Sequence, residues 1–231
     1  MAIRVSQRLE RIPRYEPGMS TAEALARYGV TDAVKLSSNE SPFGPLDGVE
    51  AAVADAMAGV NRYPDGGGRA LKERIADLHG VDASQVVLGN GSGEIILMAG
   101  QALLDAGTSV VYPDPSFALY AHLAHAAGAD AEAVPLDDDG RNDVWSMAAA
   151  VDERTRLVVL CSPNNPTGAY VPAADIEALL DAIPEDVAVL VDEAYHDFVT
   201  ELDRGRVLSM ARTRPNLMLT RTFSKAFGLP G

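Results

Sequence analysis

Four groups of residues in this chain have the types and the spacing to do chemistry, and each follows a stretch that reads as a strand. Lys225 stands in Thr220-Arg-Thr-Phe-Ser-Lys-Ala-Phe-Gly228, behind the strand-like residues 217–220. A lysine amine attacks a carbonyl only when unprotonated, so a catalytic lysine needs a dry or cationic setting. Phe223, Ala226 and Phe227 suit a dry one. Asp192, in Val191-Asp-Glu-Ala-Tyr195, ends an apolar strand. There a carboxylate can bind a metal, act as a base or pair with a cation, and Tyr195, three residues on, can face the same pocket. Ser162-Pro-Asn-Asn-Pro-Thr-Gly168 holds two asparagines between two prolines. Fixed proline backbone lets an Asn side chain be aimed, and a carboxamide donor suits a phenolic or carboxylate oxygen. Gly89-Asn-Gly-Ser-Gly93 opens an apolar helical stretch, which makes a phosphate cradle of backbone amides and a positive helix end.

Each group has a plainer reading. Glycine-rich turns join many strands to helices, Pro-Asn pairs make turns, and a lone lysine is usually a surface residue. The turn lacks the lysine of a nucleotide P-loop, and the third glycine of a dinucleotide fingerprint would fall on Glu94. A strand ending in Asp-Glu also occurs in ATPases, but that reading needs the missing P-loop lysine. The combination is more specific than its parts. A phosphate cradle, an aimed Asn, a strand-end Asp and a Lys suit a cofactor with a phosphate, a phenolic oxygen, a pyridine nitrogen and an aldehyde. That cofactor is pyridoxal 5'-phosphate, with a Lys Schiff base and an Asp–pyridinium pair as the protein's contribution.

The elements that must position these residues alternate. Short helices are expected over 20–28, 48–57 and 69–78. From there the order is strand 85–88, helix 94–104, strand 109–112, helix 116–127, strand 132–135, helix 143–151, strand 156–161, helix 173–182, strand 187–191 and strand 217–220. Continuous Val/Leu strands between helices predict an α/β fold, a mostly parallel sheet covered on both faces. Ligands in such sheets bind beyond the carboxyl ends of the strands, where all four groups lie.

Composition narrows the function classes. Of 231 residues 47% are hydrophobic, enough for a real core. A net charge of −14 repels phosphate backbones, so neither nucleic acid nor an anionic membrane is an expected partner. Met1 to Arg8 lacks a signal peptide's apolar stretch, no uncharged run reaches the roughly 18 residues of a membrane span, and a cytoplasmic location is expected. The single cysteine, Cys161, reads as a core residue. His79, His122, His125 and His196 show no metal-ligand spacing, so no metal is expected.

Asn39-Glu-Ser-Pro-Phe-Gly-Pro45, Arg62-Tyr-Pro-Asp65, the 162–168 loop, Asp192-Glu-Ala-Tyr195 and Arg221-Thr-Phe-Ser-Lys225 together resemble the histidinol-phosphate aminotransferase family of fold-type I pyridoxal-phosphate enzymes, class II subgroup. The likeness runs from Tyr15 onward, and aromatic amino-acid aminotransferases share these motifs. It implies a three-layer large domain over residues 46–231, incomplete at its C-terminus. An arm and hinge over 1–45 precede it, and the small C-terminal domain is absent. By resemblance, Lys225 carries the cofactor and shuttles the substrate proton, and Asp192 keeps the ring nitrogen protonated. Asn165 and Tyr195 bond the phenolic oxygen. Ser92, Gly93 and Ser224 hold the phosphate, and Phe117 stacks on the ring. Tyr63 reaches a neighbouring subunit's cofactor phosphate in a homodimer with shared active sites. Tyr15 and Asn39 lie on the substrate side.

Three departures stand out. Gly93 replaces a frequent acidic residue, and Phe117 a frequent Tyr. The family's phosphate-binding Arg and substrate-carboxylate Arg would both fall beyond Gly231, which predicts the N-terminal portion of a longer enzyme. The implied reaction moves nitrogen from an amino donor to a 2-oxo acid, with histidinol phosphate and 2-oxoglutarate the first expectation and an aromatic amino acid the second. Other readings are a decarboxylase of a phosphorylated amino acid, an inactive truncated fragment, and a pyridoxal-sensing regulator. The last needs a basic helix-turn-helix that no segment before Asn39 supplies.

Overall fold

Thr155–Cys161 reads Thr-Arg-Leu-Val-Val-Leu-Cys, and a run so apolar is stable only when both faces are covered. In the computed structural model, which describes residues 3–4, 6–12 and 18–230, this run is the central strand of a five-stranded sheet. In chain order the strands are β1 (Ser109–Asp114), β2 (Asp130–Pro135), β3 (Thr155–Cys161), β4 (Ala188–Asp192) and β5 (Leu217–Thr220). They lie in the order β2-β1-β3-β4-β5, and every pair is parallel. β1 leads outward to β2, whereas the chain then crosses back to β3 and continues to β4 and β5. Between β1 and β3 the path therefore reverses, the place where such sheets open a crevice.

Side chains alternate between the two faces. Leu157, Val159 and Cys161 pack with Val110 and Leu190 against α4 (Gly91–Leu103) and α5 (Leu119–Ala127). Val158 and Leu160 pack with Val111, Val189 and Val191 against α6 (Val144–Ala149), α7 (Ala173–Ala182) and α8 (Arg206–Ala211). Each such side chain contributes about 1.5–3 kcal/mol by leaving water, so the two cores fix the strand register.

Upstream lie α1 (Thr21–Tyr28), α2 (Val49–Met57) and α3 (Arg69–His79). The Ser20 hydroxyl caps α1 by accepting from the Glu23 amide, and Gly29 ends it in the left-handed region at φ 62°. Neither α1 nor α2 buries a residue, and α3 buries only Ala76.

Two expectations are corrected. Residues 85–88 form no strand. Asp82 and Gln85 instead close a reciprocal capping box around a 3-10 turn, Ala83–Gln85, and residues 86–88 run on without pairing to the sheet. The helix expected from Ser116 starts at Leu119, because the Ser116 hydroxyl donates to Asn164 Oδ1 (2.7 Å) outside the helix. α8 had no clear signal, since six residues are too few to show a period. No helix among the described residues is long and apolar enough to cross a membrane.

Candidate active site

Parity places the site. In the paired registers Cys161 stands beside Asp192 and Asp192 beside Thr220, so these three end neighbouring strands in one row. By alternation all three turn toward the α4–α5 side, where Tyr120 is fully buried. The Asp192 carboxylate is 3% exposed. Tyr120 Oη donates to Oδ2 (2.8 Å), Thr220 Oγ1 to Oδ1 (3.0 Å) and the Ala194 amide to Oδ1 (3.1 Å). Among the described residues it forms no ion pair. Burial pushes its pKa up, while the three donors pull the other way. Burial, then the Asp192 charge, raises Tyr120 well above the usual phenol range, so it remains a donor. The Cys161 thiol is pushed up to about 11 by the same causes and stays protonated. A buried carboxylate so arranged suits a cationic ring nitrogen, which would replace the lost hydration.

The asparagine pair divides its work. Asn164 is 2% exposed and is consumed by structure: its Oδ1 accepts from Ser116, and its Nδ2 donates to Pro115 O (3.2 Å) and Thr167 Oγ1 (3.1 Å). The Thr167 hydroxyl in turn donates to Gly140 O (2.7 Å). Asn164 thus ties the ends of β1 and β3 across the crevice. Asn165, half-buried, makes no side-chain hydrogen bond among the described residues and lines an open cleft of about 300 Å³ with Asn39, Pro163, Pro166, Tyr195 and Phe198.

Tyr195 joins the cleft to the lysine. Its hydroxyl accepts from Asn39 Nδ2 (2.9 Å), and Lys225 Nζ lies 5.8 Å from its ring centroid. Lys225 Nζ also donates to Ser38 O (3.2 Å). Ser38 and Asn39 both hold positive φ, at 68° and 50°, a conformation non-glycine residues adopt at a cost of order 1–3 kcal/mol. Two consecutive residues in it turn the Ser38 carbonyl and the Asn39 amide to the same site. Burial raises the Tyr195 pKa and the Asn39 bond opposes it.

At the far end, the first turn of α4 carries Ser92 and Gly93, whose amides have no partner within the helix. A Cβ on Gly91, where φ is 70°, would stand 3.8 Å from Thr222 Oγ1. Thr222 Oγ1 lies 2.8 Å from Ser224 Oγ and accepts from the Ser224 amide (3.1 Å). Two hydroxyls therefore adjoin a helix N-terminus, a donor-rich anion cradle. Phe117 sets its ring edge-on against Tyr120 at 5.8 Å.

The chain brings together Lys225, Asp192, Tyr195, Asn165, Asn39 and Phe117 around the strand ends, with Ser92, Gly93 and Ser224 beside them. Tyr63 is not among them: its side chain is wholly exposed on the α2–α3 loop. Tyr15 lies outside the described residues. Sequence reasoning missed Tyr120, Thr220 and the structural use of Asn164. Tyr120 left one trace, as the only phenol in an Ala, Leu and His helix. No cluster of side chains able to hold a metal occurs among the described residues.

Known proteins match this chain in sequence and in fold. The family model described as aminotransferase class I and II matches residues 31–231. A histidinol-phosphate aminotransferase of Geobacillus thermodenitrificans is 40% identical over 98% of this chain and 62% of its own length. Histidinol-phosphate aminotransferase 2 of Carboxydothermus hydrogenoformans is 42% identical over 98% of this chain and 63% of its own. The chain thus spans about three fifths of the curated relatives it matches. A crystal structure of the Sinorhizobium meliloti histidinol-phosphate aminotransferase in complex with pyridoxal-5'-phosphate superposes with a TM-score of 0.85. It is 28% identical, over 98% of this chain and 60% of that one. With the family model covering nearly all of the chain, it belongs to the class I and II aminotransferases.

Proposed function

We propose that this chain supplies the cofactor-binding part of a pyridoxal-phosphate-dependent aminotransferase, with histidinol phosphate as amino donor and 2-oxoglutarate as acceptor, serving histidine biosynthesis. The observation that carries the reading is the buried Asp192 carboxylate, held by three donors on the same sheet edge as Lys225, Tyr195 and Asn165. The substrate rests on the relatives' names. Residues 1–45 act as an arm and hinge and 46–231 as the large domain.

When bound, pyridoxal phosphate supplies a cationic ring that draws electrons from the substrate Cα. Asp192 accepts the ring N–H and, as a carboxylate, keeps that proton in place. Tyr120 and Thr220 aim the carboxylate. Tyr195 accepts from Asn39 and so directs its own O–H toward the ring's phenolic oxygen, beside the Asn165 amide. Ser224 and the Ser92 and Gly93 amides take the phosphate, and Phe117 covers the ring. Lys225 would supply the amine that holds the aldehyde carbon and, once a substrate amine has taken its place there, would carry the proton at the substrate Cα. Asn39 meets the substrate. Tyr63, wholly exposed here, reaches a second subunit's phosphate in a homodimer. Tyr15 adds a substrate-side contact, and the protein works in the cytoplasm.

The test incubates the purified protein with pyridoxal phosphate and 2-oxoglutarate, and offers histidinol phosphate, aromatic amino acids and a phosphorylated amino acid in turn. Glutamate formed fastest from histidinol phosphate supports the reading. Glutamate formed fastest from an aromatic donor, or carbon dioxide released without glutamate, overturns the substrate assignment.

A further inference from the structure

One ion pair, its carboxylate buried and its guanidinium 26% exposed, joins the two strand ends that carry the site. Glu193 directly follows Asp192, and Arg221 precedes Lys225 by four residues. The Arg221 Nε donates to Glu193 Oε2 at 2.8 Å, with the Glu193 side chain 4% exposed. The Glu193 amide donates to Thr220 O (2.9 Å), so backbone and side chain bind the same two segments. Arg221 Nη1 also lies 3.4 Å from His79 Nδ1 at the end of α3, and the Arg212 guanidinium, just past α8, donates to His79 O (2.7 Å). His196 Nδ1 is 3.6 Å from Glu193 Oε2.

Stability does not account for such a pair. Replacing an ion pair with a buried member by apolar residues is often neutral, whereas removing one partner alone destabilises because it leaves the other charge uncompensated. What the pair does provide is direction, because a guanidinium donates along fixed axes. Resting on the cofactor reading above, we propose that Arg221 and Glu193 are positioning residues: they lock the turn bearing Lys225 to the strand end bearing Asp192, so that amine and carboxylate keep one spacing.

The surrounding charges fit this role. His79 faces Arg221 from the end of β5, and Glu193, His196 and Asp197 from the turn after β4, with Arg212 on its carbonyl. Burial first, then the Arg221 charge, lowers the His79 pKa. It is therefore neutral at pH 7 and can accept from Arg221. Protonation, reached only below the usual histidine range, would set two cations against each other and loosen the lock.

The chain has three lysines, Lys35, Lys72 and Lys225, so lysine reactivity is easily resolved. The cofactor-free protein is reductively methylated with formaldehyde and borohydride, and each lysine is followed by mass spectrometry. Pyridoxal phosphate affinity is measured in parallel. Two variants are used: Glu193→Gln, which keeps the shape and loses the charge, and Glu193→Leu combined with Arg221→Met, which replaces the pair by apolar contact. In the double variant, Lys225 methylation relative to Lys35 and Lys72 should rise about fivefold or more, and cofactor affinity should fall about tenfold. Glu193→Gln should shift both in the same direction by less. A folded double variant with unchanged Lys225 reactivity and affinity overturns the proposal. If the double variant does not fold, an unchanged Lys225 ratio in Glu193→Gln overturns it instead. Wild-type protein that fails to bind pyridoxal phosphate sinks the cofactor reading alone, and the methylation ratio still decides the positioning claim.

Discussion

The sheet body and the segment before it contribute to one site by opposite means. In the body, residues 109–220, strand register and two buried cores fix Asp192, Thr220 and Cys161 in a row before any polar contact is counted. Upstream, α1 and α2 bury nothing, and large apolar side chains such as Phe43, Val53 and Met57 stand exposed. Yet that segment delivers Asn39 to Tyr195 and the Ser38 carbonyl to Lys225 by single hydrogen bonds. Packing holds the Asp192 carboxylate, whereas a few polar contacts from a lightly anchored segment hold Asn39 and Ser38, on what we propose is the substrate side.

That contrast is open to direct attack. Leu160, fully buried, should lose about 2–5 kcal/mol of stability as Leu160→Ala, while the exposed Val53→Ala should stay within about 0.5 kcal/mol. Denaturant unfolding of the two variants checks this, and equal losses would end the distinction. Asn164→Ala leaves the Pro115 carbonyl and the Ser116 and Thr167 hydroxyls short of a partner, at about 1–3 kcal/mol. It should weaken cofactor binding too, because the loop carrying Asn165 loses its anchor. A melting shift without any change in affinity would show that Asn165 needs no such anchor.

Asn39→Ala removes one hydrogen bond to Tyr195, worth about 0.5–1.5 kcal/mol. Its effect should fall mainly on substrate KM, with a drop of no more than a few degrees in melting temperature. A large loss of stability would place Asn39 in the structural body instead. Tyr120→Phe keeps the ring and its packing and gives a distinct signature in pH. The Tyr120 bond lowers the Asp192 pKa against the upward push of burial. Removing the donor leaves the carboxyl protonated to higher pH, and a neutral Asp192 cannot hold a ring cation. As pH falls, cofactor affinity should therefore be lost earlier in the variant than in the wild type. Titrations of affinity against pH measure the displacement, and a shift to lower pH would contradict the assignment.

Much of the body was legible in the chain itself. Continuous runs such as Leu157-Val-Val-Leu160 can be buried only between two layers, so β3 and β4 and their dependent loops were expected where they stand. Lys225 and Asp192 were visible because each follows such a run. Partners set by three-dimensional register were not visible. Thr220 is an ordinary strand residue until β5 pairs beside β4, and Tyr120 reaches Asp192 only once α5 packs on the sheet. The resemblance singled out Asn165, but that the Asn164 side chain is consumed by Pro115, Ser116 and Thr167 depends on loop geometry that two adjacent identical residues cannot signal. The mistaken strand at 85–88 shows the converse: an apolar Val-Val-Leu follows the capped turn Ala83–Gln85 but pairs with no strand among the described residues.

Lys225 is proposed to hold the cofactor, and its chemistry can be read directly. Pyridoxal phosphate is added to the protein, the adduct is reduced with borohydride, and the digest is searched for a pyridoxyl-modified lysine. A visible absorption band before reduction, modification of Lys225 with Lys35 and Lys72 unmodified, and loss of the band in Lys225→Ala are expected. A band that survives in Lys225→Ala, or a label that falls on Lys35 or Lys72, would contradict the proposed role of Lys225.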